Sequence, residues 1–80
     1  KIQVYPNPSD GVYQLSFEME QSAKVVVEIY TLMGKKVADF ETTAQQFVTE
    51  FDLSDREAGQ YILKIKSGGF EHSEVISLIK

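Results

Sequence analysis

Eighty residues without a cysteine bound the problem to one domain, near the lower size limit for folding alone, whose core holds without disulfides or a cysteine-based zinc site. Twelve acidic against eight basic residues, spread along the chain for a net charge of −4, exclude a basic surface for nucleic acid or an anionic membrane. No uninterrupted apolar run exceeds three residues, as at Val25-Val26-Val27, so no stretch could cross a bilayer as a helix.

Valine, isoleucine, threonine, tyrosine and phenylalanine supply 27 residues against 11 from alanine, leucine and methionine, a balance that favours strands. The chain starts on Lys1 with no visible signal peptide, and residues 1–80 read as a single module of a longer protein. Ile2 to Tyr5 is the first predicted strand. It is ended by Val4-Tyr5-Pro6-Asn7-Pro8-Ser9-Asp10-Gly11, where two prolines fix φ and remove two donors, so neither helix nor central strand runs through. Asn7, preceding Pro8, is biased toward extended geometry, and Ser9, Asp10 and Gly11 are turn-closing residues.

A second strand follows, with Tyr13, Leu15 and Phe17 on one face, and Glu20-Gln21-Ser22 reads as a polar turn. The third strand, Ala23 to Thr31, turns Val25, Val27 and Ile29 one way and Lys24, Val26, Glu28 and Tyr30 the other. Its run of β-branched residues disfavours a helix. Leu32-Met33-Gly34-Lys35 is a tight hairpin with Gly34 left-handed, and Lys36 to Phe40 returns as strand four. Glu41 to Gln45 is a polar connection before strand five, Gln46 to Phe51. Leu53 to Gly59 carries a capping-box spacing, Ser54 with Glu57, that Gly59 stops after one helical or 3₁₀ turn. Strand six, Gln60 to Lys66, places Tyr61, Leu63 and Ile65 inward; Ser67-Gly68-Gly69 turns into strand seven, Phe70 to Lys80. The clustered Val75, Ile76, Leu78 and Ile79 suit a strand covered on both faces or one waiting for a partner.

Seven short strands with regularly spaced turns predict an all-β, seven-stranded antiparallel sandwich. Tyr61, two residues before the inward Leu63, stands where immunoglobulin-type domains place a tyrosine whose hydroxyl bonds upstream backbone.

No catalytic constellation is present. His72, the only histidine, lies in a polar stretch and reads as a solvated surface residue, since general-base work needs a positioned partner. No serine occupies a nucleophile elbow. Asp52, Asp55 and Glu57 do not match a calcium-loop pattern, and Ser54 and Asp55 are expected to satisfy backbone donors in the turn instead. Tyr5, Tyr30 and Tyr61 could line a sugar platform but read more simply as strand aromatics. Lys35, Lys36, Lys64 and Lys66 read as solvated positions that discourage pairing at sheet edges. No cofactor is expected, and calcium in the loop of Asp52, Asp55 and Glu57 is left open, since such a site needs only converging carboxylates and carbonyls.

Three blocks, Val4 to Gly11, Leu32-Met33-Gly34-Lys35-Lys36-Val37, and Ala58-Gly59-Gln60-Tyr61-Ile62-Leu63-Lys64-Ile65, in this order and spacing, together resemble the type A C-terminal sorting domain of the type IX (Por) secretion system of Bacteroidetes. The resemblance covers nearly the whole chain. It implies an immunoglobulin-like β-sandwich at the end of a larger secreted protein, and no enzymatic activity. The cargo reaches the periplasm by an ordinary signal peptide and is directed across the outer membrane by this domain. It ends at the cell surface or secreted, while a sortase-like peptidase removes the domain. Pro6, Asn7, Pro8 and Gly11 match the opening motif, Gly34 the mid-domain turn, and Gly59 and Tyr61 the late motif, all mainly structural. Val75, Ile76, Ser77, Leu78, Ile79 and Lys80 match the terminal strand read by the translocon; Glu74 stands where members often carry lysine.

The implied partners are outer-membrane shuttle and translocon proteins, which would pair with the last strand or an edge beside it by strand addition. An exposed edge strand would also permit self-association. The alternative is an immunoglobulin-like accessory module that binds glycan or protein on a surface enzyme or adhesin.

Overall fold

Val12–Thr31 forms one strand of 20 residues, and the chain is organised along it. The structure, a computed structural model, describes residues 1–80. Its strands are β1 (Ile2–Tyr5), β2 (Val12–Thr31), β3 (Lys36–Asp52), β4 (Gly59–Ser67) and β5 (Phe70–Leu78), all antiparallel.

There are five strands, not seven. The polar segments read as breaks, Glu20–Ser22 and Glu41–Gln45, contain neither glycine nor proline and interrupt nothing. Instead the β2–β3 hairpin bends through a bulge. Glu18 faces Gln46 and Ala23 faces Ala44, so Met19–Ser22 oppose Gln45 alone. The Gln45 amide donates to the Glu20 carbonyl at 3.2 Å, satisfying one group the bulge leaves unpaired.

Before the bend β2 lies between β1 and β3; beyond it, β4 takes the edge that β1 occupied, and β5 pairs outside β4. The sheet therefore curls into a half-barrel whose two halves face each other through continuous strands, in place of the two separate sheets of a sandwich. The core lies between the halves. Val4, Tyr13, Leu15 and Phe17 come from one side, and Val25, Val27, Ile29, Leu63, Ile65, Ile76 and Leu78 from the other. The inward rows expected of β2 and β4 are the buried ones. Phe47 meets Phe17 edge-on at 4.4 Å between ring centroids, and Phe51 stacks on Tyr13 at 5.1 Å.

The Thr31–Lys35 hairpin closes with Gly34 at φ 93°, as its sequence predicts. After Leu53 the chain makes a single hydrogen-bonded turn and no helix. The Arg56 N–H bonds the Leu53 carbonyl at 2.9 Å, and Asp52, rather than Ser54 or Asp55, caps the turn by accepting from the Ser54 N–H at 2.7 Å. Lys64 and Lys66 sit on β4, an interior strand, and so guard no edge. Lys64 lies over the Tyr30 ring, and the Lys66 ammonium is 3.2 Å from Glu28. Lys36 approaches the same carboxylate at 3.8 Å.

Lys66 first, then the Tyr30 hydroxyl and last Lys36, hold the Glu28 carboxyl below its ordinary value of 4.5 against the opposing pull of desolvation. Its ion-pair contribution is therefore complete above that value and lost as pH falls through the lowered one. Glu28→Gln should flatten the acid decline of stability; urea unfolding series from about pH 6 to about pH 3 check this.

Candidate functional site: the opening loop on the terminal strand

Pro6 and Pro8 have no N–H to offer a neighbouring strand, so the loop they frame bonds through Asn7 and Ser9. The Asn7 side-chain amide donates to the Val75 carbonyl at 3.1 Å and accepts from the Ser77 N–H at 2.9 Å. It thereby supplies the donor and acceptor that a neighbouring peptide group would supply. Ser9 continues the ladder in parallel, its N–H on the Ser77 carbonyl at 3.0 Å and its carbonyl on the Ile79 N–H at 2.8 Å. The buried Tyr13 hydroxyl donates to the same Ser77 carbonyl at 2.7 Å. Burial, and then nearby Tyr61, raise its pKa, so it stays a donor.

Residues 5–11 thus form a strap over the outer edge of β5. In an antiparallel pair alternate residues turn their backbone groups away from the partner, and in β5 these are the odd-numbered ones. Val75 C=O, Ser77 and Ile79 N–H are covered; the backbone groups of Glu71 and Ser73 and the Val75 N–H remain free. The side chains of Val75 and Ile79 are exposed, whereas Ile76 and Leu78 are buried, so one face of the terminal strand is covered and the other open.

The motif residues converge here. Gly11 ends the strap, its carbonyl accepting from the Leu53 N–H at 2.8 Å. Gly59 pairs with Leu78, and Tyr61 with Ile76. Tyr61 Oη donates to the Glu57 carbonyl at 2.6 Å, an upstream backbone bond. Gly34 is one strand further away at the same end of the sheet, since Thr31, which closes its hairpin, pairs with Tyr61. Lys80 follows the strand end, exposed. Sequence reasoning missed that Ser9 and Tyr13 bond the terminal strand. Tyr13 was legible as an inward aromatic, but the destination of its hydroxyl, 64 residues on, was not.

One side-chain reading changes, and one favoured reading stands. His72 is half-buried on the inner face of β5, its Nε2 3.2 Å from Glu74 Oε1, and is not a free surface residue. The three tyrosines share no platform: Tyr61 is buried, Tyr30 lies on the outer face beneath Lys64, and Tyr5 is exposed on β1.

Asn7→Ala removes two bonds from a partly solvated edge. It should cost about 1 kcal/mol and speed exchange of the Ser77 amide, read by hydrogen-exchange NMR beside urea unfolding.

The sequence profile of one protein family, the secretion system C-terminal sorting domain, matches residues 3–79 of the chain. No curated protein matches it.

Proposed function

The chain belongs to the secretion system C-terminal sorting domain family and is a sorting signal for type IX secretion; on that premise we propose that β5 is the part the export machinery reads and that the strap holds it in readable form. The cargo of such a signal is a secreted or cell-surface protein. In this reading residues 1–80 are one domain at the end of that cargo, and the two facing halves of the sheet are an immunoglobulin-like arrangement with strands running through the bend. An outer-membrane shuttle protein receives the domain after periplasmic transit, and a sortase-like peptidase later removes it. The domain itself does no chemistry.

The observation that carries the reading is the asymmetry of β5. Its inner row, Ile76 and Leu78, belongs to the core, while Val75 and Ile79 and the unpaired backbone from Glu71 to Val75 face outward. A partner could add a strand along that free rim and take the exposed Val75 side chain as a specificity contact, with Ile79 offered beyond the strap at the strand end.

The test uses a full-length cargo carrying Val75→Glu and Ile79→Glu, which alter the outward row and leave the core intact. Accumulation in the periplasm, with the thermal midpoint of the domain preserved, is the expected result. Normal surface delivery of the folded variant would overturn the reading.

A further inference from the structure

A second edge of the sheet is better exposed than that of β5. Lys1 and Glu18 exchange both backbone bonds, at 2.8 and 2.9 Å, so Gln14, Ser16 and Glu18 face β1. The bonds of β2 toward β3 therefore come from Tyr13, Leu15 and Phe17, opposite Phe51, Thr49 and Phe47. By the same alternation Gln46, Val48, Glu50 and Asp52 turn their N–H and C=O groups to solvent, and no strand or loop covers them. From Val37 to Asp52 the strand has no proline and no lysine, the usual guards of a free edge.

Its two faces are chemically distinct. On the inner face Phe47 and Phe51 are half-buried, packed on Phe17 and Tyr13 on one flank and open on the other. On the outer face Glu50, Asp52 and the neighbouring Glu18 take part in no side-chain ion pair; of the cations on this face, Lys24, Lys36 and Lys66 are engaged with Glu41, Asp39 and Glu28, Lys64 lies over the Tyr30 ring, and the Lys1 ammonium bonds the Glu18 carbonyl. Val48 between them is 66% exposed.

We infer that Gln46–Asp52 is a strand-addition surface for an extended segment of another protein in which basic and apolar residues alternate. Backbone bonds would form along the outward row. The basic side chains would meet Glu18, Glu50 and Asp52, and the apolar ones would cover the open flanks of Phe47 and Phe51. A second copy of this chain is disfavoured, because apposed β3 edges bring carboxylates against carboxylates. This surface is independent of the terminal-strand reading.

The test titrates the chain with a synthetic peptide alternating lysine and valine, and with the same peptide carrying glutamate for lysine, by calorimetry at low and high salt. The lysine peptide should bind one-to-one, more weakly as salt rises, and the glutamate peptide should not bind. Val48→Pro removes an outward donor without touching the β2 ladder, and should weaken binding at least about tenfold in a folded chain. The double variant Glu18→Lys, Glu50→Lys changes no backbone group and leaves the Asp52 cap on the Ser54 N–H in place; it should reverse the preference between the peptides, which decides the matter if Val48→Pro unfolds. No binding of the lysine peptide, equal binding of both peptides, or unchanged affinity in the charge-reversed chain would overturn the inference.

Discussion

Deletion of Val75–Lys80 should leave the chain without a cooperative fold. The cut removes Ile76 and Leu78, which are 0% and 2% exposed, and each such truncation to a small side chain alone costs about 2–5 kcal/mol. A domain of this size has roughly 4–12 kcal/mol in all. The deletion also takes away the partners of Asn7 and Ser9 and leaves the Tyr13 hydroxyl buried without an acceptor. Loss of the near-ultraviolet circular dichroism signal and of a sigmoidal urea transition is the measurement. A truncated chain that unfolds within about 2 kcal/mol of the intact one would mean that the terminal strand is not part of the core. The result matters for function. A cargo that fails to be delivered after this cut has lost its fold, so only substitutions in the outward row separate recognition from folding.

Gly11→Ala is expected to be the most damaging single methyl group in the opening motif. A Cβ at Gly11 would lie 2.6 Å from the Ser54 Cβ and 3.0 Å from its Cα, so the turn after β3 would have to move as backbone. The residue also sits at φ +156°, where side chains are strained. Overpacking and strain together should cost about 2–4 kcal/mol, or roughly 10–25 °C in the thermal midpoint of a chain this short. Gly59→Ala is the control. Its φ of +149° carries similar strain, but nothing lies within 4 Å of the added methyl, so its loss should be about half as large. Equal losses would show that the close approach to Ser54 is not what requires glycine at position 11. Because Gly11 anchors the strap to the Leu53 turn, its substitution should also raise amide exchange at Ser77 and Ile79, linking the opening motif to the strand it covers.

These effects give a physical account of how the scattered motif residues act on one strand. Asn7 and Ser9 bond the outer edge of β5, and Gly59 and Tyr61 pair with its inner edge. Gly11 holds the strap in place from below. All of them act on the last few residues of the final strand.

The sequence by itself determined the strand content, the inward rows Tyr13-Leu15-Phe17, Val25-Val27-Ile29 and Tyr61-Leu63-Ile65, and the Gly34 and Gly68 hairpins. Each rests on period-2 burial or on a local φ requirement, and neither needs knowledge of distant residues. The three motif blocks likewise carried the family. Strand number was not determined, because Glu20–Ser22 and Glu41–Gln45 are polar in a turn and equally polar on the convex side of a bulge; only the pairing of β2 with β3 distinguishes the two. Nor could the sequence assign Asn7 and Tyr13 to β5, the pairing of His72 with Glu74, or the free edge of β3. Those depend on which edges meet when the sheet curls, a contest between burial and backbone pairing settled over separations of more than sixty residues for the strap.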